Sequence, residues 1–127
     1  MAVRVIADHK AGAARLLLVD DEPALVELLK KYLERLGYEV DARTDAEQAL
    51  EQYQSNPDHY ALVLTDLTLP GMSGEQMLER MQQRNPNLRA IISSGYPYQP
   101  RFRQVEYLQK PFLPKMLAAL IEKMLHR

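Results

Sequence analysis

Several polar side chains stand directly at the ends of short apolar runs. Asp20 and Asp21 follow RLLLV, Asp66 closes LVLTD, Ser93 and Ser94 close AIISS, and Lys110 follows VEYLQ. Taken singly, each is ordinary, because an aspartate after a strand is commonly a turn former or a helix N-cap. Taken together they are not, because three carboxylates brought to one place repel each other unless a cation accompanies them. A hard divalent ion with oxygen ligands, Mg²⁺ or Mn²⁺, resolves that repulsion. Lys110 adds a positive charge suited to a phosphoryl oxygen, and a serine hydroxyl can donate to another.

Convergence requires elements that deliver all these groups to one end of a sheet. RLLLVD, YEVDAR, YALVLTD, LRAIISSG and VEYLQ are of strand length, and most are apolar throughout, as expected for strands covered on both faces. Between them lie helical patterns. Leu25, Leu28, Leu29, Tyr32, Leu33 and Leu36 form a stripe after Pro23, with Gly37 at the C′ position. Thr44 with Glu47 reads as a capping box opening a helix through Ala46, Ala49, Leu50 and Tyr53. Ser73 with Gln76 reads as another, for a helix through Met77, Leu78 and Met81 that stops before Pro86. After Pro114 a last stripe runs through Leu117, Leu120, Ile121, Met124 and Leu125.

Strands alternating with helices imply right-handed crossovers and a parallel sheet with helices on both faces, whose ligands bind outside the carboxyl ends of the strands. One crossover is short. Between the fourth and fifth strands only YPYQPRFRQ is available, and Pro97 and Pro100 deny it backbone donors. No helix longer than about two turns is expected over residues 96–104. Its aromatics either tuck onto the sheet edge, or Phe102 anchors a partner while Arg101 and Arg103 face an acidic patch.

The 127 residues suit one domain, and 46% hydrophobic with 26% charged residues is a globular balance. A formal net charge of −1 gives no drive towards nucleic acid or an anionic membrane. The absence of cysteine excludes disulfides and thiolate chemistry. No apolar run approaches the ~20 residues needed to span a bilayer, so a cytoplasmic location without membrane insertion is expected. Residues 1–14 read as a tail or linker, although VRVIA has strand character.

The strings LLLVDDEP, LTDLTLPGMSG, IISSGY and LQKPF, in this order over residues 15–127, resemble the receiver domain of response regulators in two-component phosphorelays. The resemblance implies a flavodoxin-like, doubly wound α/β fold with a five-stranded sheet in the order 2-1-3-4-5, here with a shortened or missing fourth helix. It puts the phosphoacceptor on Asp66, the acidic pair that organises the metal on Asp20 and Asp21, and the family lysine on Lys110. The hydroxyl that follows the phosphoryl group falls on Ser94, or on Ser93 if the register slips by one. Metal ligation is then expected from Asp21, Asp66 and the backbone carbonyl of Thr68, with Asp20 acting through water. Thr68 and Tyr96 flank the approach of a hydrolytic water, and Tyr107 takes the place of the switch aromatic. The Lys110–Pro111 bond resembles one that is cis in receivers.

The expected function is therefore acceptance of a phosphoryl group from a phosphohistidine on a sensor kinase or phosphotransfer protein. A conformational change would then regulate a downstream protein, without nucleic-acid binding and without the chain being an enzyme in its own right. The SGY…LQKPF style resembles receivers attached to hybrid sensor histidine kinases, so the chain is either a stand-alone receiver or part of a larger protein. Other readings fit less well. A haloacid-dehalogenase-type phosphohydrolase wants a second Asp where Thr68 stands, and a flavodoxin-like cofactor binder wants a phosphate loop where Asp20 and Asp21 stand. A phosphorylation-independent interaction module would need the short crossover to have broken the switch.

Overall fold

The computed structural model describes residues 13–126. The sequence-read tail therefore lies almost wholly outside the described residues. Five parallel strands form one sheet in the order β2-β1-β3-β4-β5. They are β1 (Arg15–Val19), β2 (Glu39–Arg43), β3 (Leu62–Asp66), β4 (Ala90–Ser94) and β5 (Val105–Gln109). Four helices connect or follow them: α1 (Pro23–Arg35), α2 (Ala46–Ser55), α3 (Gly74–Arg84) and α4 (Pro114–Leu125).

Alternation along the strands divides the core into two layers. Leu16, Leu18, Leu62, Leu64 and Ile91 pack against Val26, Leu29 and Leu33 of α1 and Leu117, Ile121 and Met124 of α4. Leu17, Val19, Val63, Ile92 and Val105 pack on the other face against Ala46, Ala49 and Tyr53 of α2 and Met77, Leu78 and Met81 of α3. The same alternation sends Asp20, Asp66 and Lys110 towards the α1/α4 side at the strand ends, and Ser94 and Tyr107 towards the α2/α3 side.

Two local readings need correction. Leu28 and Leu36 of the α1 stripe are exposed, and Val26 is buried instead, because the core sees a narrower arc of the helix than the leucines span. Beyond α1, Gly37 takes φ 103° in a Schellman closure, with Gly37 N donating to Glu34 O (3.0 Å) and Tyr38 N to Leu33 O (3.2 Å). The Thr44–Glu47 capping box does not form. Asp45 caps α2 one residue later, its carboxylate accepting from Gln48 N at 2.9 Å and so satisfying one of the helix's unpaired first-turn donors. The Ser73–Gln76 box is present in full.

The β4–β5 connection contains no helix. Residues 95–104 cross the sheet as irregular chain, and Tyr98 and Phe102 pack against the α2/α3 core cluster. They cover the strip of sheet that a crossover helix would otherwise cover. Phe102 is thus an internal anchor, and of the three aromatics only Tyr96 is largely exposed, at 72%. Arg101 does find an acidic partner, but within the chain, at Glu75 (2.9 Å).

On the sheet edge, buried Tyr60 donates its hydroxyl to Asp41 (2.6 Å) and accepts from Gln52 (3.0 Å). Burial first, and then the bond to Asp41, push its phenol up to about 12. A phenol raised on folding stabilises the native state fully below the unfolded value near pH ~10, and that contribution is lost as pH climbs towards the folded value. Denaturant midpoints should therefore fall between about pH 10 and 12, and Tyr60→Phe should remove its share of that fall. An identical alkaline slope in the variant would show that Tyr60 contributes nothing to it.

Candidate functional site

Parallel register brings the strand ends level. Leu18 pairs with Leu64, and Asp66 pairs with Ser93, so the chain emerging from β1, β3 and β4 opens at one rim. Carboxylate oxygens of Asp20, Asp21 and Asp66 all lie within 4.8 Å of one another. Asp20 is buried, with Oδ1 accepting from Glu22 N (3.0 Å) and Oδ2 from Lys110 Nζ (2.8 Å). Asp21 is exposed at the rim. Asp66 is half-buried and accepts from Lys110 Nζ at 3.3 Å and from Thr68 N at 3.4 Å.

Lys110 reaches this cluster from the end of β5, where Lys110 N donates to Ser94 O (2.8 Å) and the Lys110–Pro111 bond is cis. Its ammonium also lies 3.4 Å from Glu22. Burial alone would lower the Lys110 pKa. The hydrogen bonds and charges of Asp20 and Asp66 outweigh it and hold the ammonium above its ordinary range. Asp66 shifts the other way from a typical salt-bridged acid. Burial raises its pKa and the Asp20 charge adds to the rise, which Lys110 and Thr68 N only partly offset. One lysine among several carboxylates leaves negative charge uncompensated, and the donor set is all oxygen. That chemistry fits a hard divalent cation.

Ser94 is buried, and its Oγ accepts from Tyr96 N at 2.9 Å. An accepting hydroxyl keeps its own proton to donate, so Ser94 retains a donor. Ser93 is also buried, but its Oγ has no hydrogen-bond partner among the described residues. Tyr107 is half-buried, and its hydroxyl is shared between the carbonyls of Tyr96 (2.6 Å) and Ser94 (3.1 Å). Thr68 and Tyr96 are both exposed. All the sequence-read site residues therefore come to the same end of the sheet, with Tyr107 one layer behind Ser94.

Some contributors were not read from the sequence. Glu22 is a further carboxylate at Lys110, and its place before Pro23 was the available signal. Gly74 lies against the backbone of Asp66, where a Cβ would fall 2.1 Å from the carbonyl oxygen. Thr65 Oγ1 donates to that same carbonyl at 2.9 Å. The Gly74 approach has no sequence signature, because it depends on how α3 docks on β3, whereas the Thr65 bond is local to neighbouring residues of β3.

Residues 16–122 match the family model described as the response regulator receiver domain. The chain is 34% identical over 118 residues to the regulatory protein VanRB of Enterococcus faecalis, covering 89% of this chain and 53% of that protein. It is 32% identical over 117 residues to the response regulator receiver protein CpdR of Brucella abortus, covering 87% and 96% respectively. The chain thus spans about half of the first relative and nearly all of the second. Among solved structures, the response regulator TrrA of Thermotoga maritima, in complex with Mg²⁺ and BeF, superposes with a TM-score of 0.77 at 31% identity. That match covers 87% of this chain and 98% of the other.

Proposed function

Because this chain belongs to the response regulator receiver family, and so is a phosphoacceptor signalling domain of two-component systems, we propose that Asp66 is the acceptor. A carboxylate oxygen of Asp66 attacks the phosphorus of a phosphohistidine on a kinase or phosphotransfer partner. The P–N bond breaks, its electron pair stays on the imidazole nitrogen, and an acyl phosphate forms on Asp66. The observation that carries this reading is the meeting of Asp66 with Lys110 (3.3 Å) inside a cluster of acidic oxygens.

Lys110 holds its charge beside the Asp66 oxygen, where the transferring group's negative charge accumulates. The Ser94 hydroxyl donates to one of the phosphoryl oxygens. Asp21, Asp66 and the Thr68 carbonyl would hold Mg²⁺ or Mn²⁺, with Asp20 acting through water, because both Asp20 oxygens already have partners. That ion, when bound, neutralises charge on the phosphoryl oxygens. Exposed Thr68 and Tyr96 border the path of the water that later hydrolyses the acyl phosphate. Tyr107 bonds to the Ser94 and Tyr96 carbonyls, so a shift of Ser94 towards a new phosphoryl group is transmitted to β5 and to a downstream protein partner. Residues 15–127 constitute the receiver, with 1–14 as a linker or tail. No helix among the described residues is long and apolar enough to cross a membrane, and we place the domain in the cytoplasm.

The test is incubation with a small phosphodonor and Mg²⁺, followed by intact mass. The native chain should gain one phosphoryl group and Asp66→Asn none. Labelling of another aspartate in the variant would overturn the assignment. The same variant relieves a half-buried carboxylate whose pKa is already raised. It should therefore melt higher, by roughly 2 °C, the scale of a half-kcal/mol change in a domain of this size.

A further inference from the structure

The proposed function uses the loop after Asp66 and the start of the β4–β5 connector, but not the contact that joins them. Glu75 lies in the first turn of α3, directly after Gly74. Its carboxylate accepts from the hydroxyl of Tyr98 and pairs with Arg101 Nη2 at 2.9 Å. An acid in this position ordinarily serves the helix dipole. Here it also collects two donors from a connector more than twenty residues away in sequence.

We infer that Glu75 is a positioning residue for the Asp66 site: it clasps the helix-less connector and thereby fixes Ser94 and Tyr96 relative to the loop that follows Asp66. The path is short. Tyr98 is separated from Tyr96 only by Pro97, whose ring fixes one of the intervening dihedrals. Tyr96 N holds the Ser94 hydroxyl at 2.9 Å, and the Tyr96 carbonyl accepts from Tyr107 at 2.6 Å. The Tyr98 ring lies against that of Tyr107, with centroids 6.2 Å apart. At the other end, Gly74 N donates to Leu67 O (2.8 Å), so α3 is tied to the residue that follows Asp66. Glu75 thus closes a loop of contacts around the site, and does for the connector what packing would do for a helix. The hydrogen bond from Tyr98 holds the Glu75 carboxyl below its usual range, against a smaller opposing effect of burial and with Arg101 adding to it.

This inference rests on the proposed role of Asp66, and the experiment separates the two. The 127-residue chain is compared with Glu75→Ala, Glu75→Gln and the charge exchange Glu75→Arg with Arg101→Glu. Amide hydrogen exchange over residues 96–104 is read without phosphodonor, and acyl-phosphate lifetime is read by intact mass after labelling. Glu75→Ala should lower protection of the connector roughly ten-fold. It should also shorten the lifetime roughly three- to ten-fold as Ser94 and Tyr96 lose their fixed geometry. Glu75→Gln, which still accepts from Tyr98, should fall between, and the charge exchange should recover part of the loss. Unchanged connector exchange in Glu75→Ala would overturn the clasp. Faster exchange with an unchanged lifetime, or no recovery in the charge exchange, would overturn the positioning role. A native chain that takes no phosphoryl group would overturn the proposed function itself, and with it this use of Glu75.

Discussion

Lys110→Met should lower the rate of phosphoryl transfer to the chain by about 100-fold or more, the usual scale for removing a preorganised charge from a developing anion. Methionine keeps most of the apolar stem and deletes the ammonium, so the loss isolates charge from packing. Among the described residues Lys110 is the cation in contact with Asp20 (2.8 Å), Asp66 (3.3 Å) and Glu22 (3.4 Å). Without it the carboxylates face each other uncompensated, and breaking such a pair from one side is costly. The site opens to solvent on the Asp21 side, so the stability loss in metal-free buffer should be about 2 kcal/mol rather than the full cost of a sealed pair. Mg²⁺ should restore most of that loss and should bind more tightly to the variant than to the native chain. Two measurements check this: melting with and without Mg²⁺, and single-turnover labelling by a small phosphodonor. Native-like labelling kinetics in Lys110→Met would remove the lysine from the chemistry.

Gly74→Ala should be the most damaging single-methyl change near the site. A Cβ at Gly74 would stand 2.1 Å from the Asp66 carbonyl oxygen, 3.0 Å from Thr65 Oγ1 and 3.1 Å from the Asp66 carbonyl carbon. Two of these three neighbours are backbone of the central region of the sheet, which cannot yield as a flexible side chain would. Either α3 lifts from β3, uncovering Met77, Leu78 and Met81, or the Asp66–Leu67 backbone is pushed aside. The expected cost is about 3 kcal/mol, or roughly 10 °C in melting temperature, as for other overpacked core positions. The folded fraction should also label more slowly, because the carboxylate rides on the displaced backbone. Gly71 offers the contrast, with φ 80° and nothing within 4 Å of its Cβ position. There alanine is penalised by backbone conformation and not by space. A melting temperature for Gly74→Ala within a degree or so of the parent would show that the helix accommodates the methyl.

Much of this protein was determined by its sequence alone. The apolar runs, the Pro23 and Pro114 helix starts, the Ser73–Gln76 box and Gly37 are local signals, and each acts within a few residues of itself. Strand–helix alternation implies a parallel sheet with its polar groups at the carboxyl ends of the strands. The gathering of Asp20, Asp21, Asp66, Ser94 and Lys110 at one rim was therefore legible in the pattern, whereas the strand order was implied only by the resemblance to receivers. Proline at positions 97 and 100 likewise sufficed to deny the β4–β5 crossover a helix. What local signals could not fix were choices between equivalent local solutions. Asp45 and Thr44 can both cap α2, and in the folded chain it is Asp45 that stands extended at the helix start and accepts from Gln48 N. Leu28 and Val26 are both apolar, and only the width of the core face decides which is buried. The fate of the connector's aromatics was decided in the same way. Tyr98 and Phe102 fold inward because a strip of β4 and β5 has no helix to cover it, and Tyr98 then meets Glu75. Close backbone approach, as at Gly74, and pairing between residues distant in the chain are properties of docked elements, so they exist only once the tertiary structure has formed.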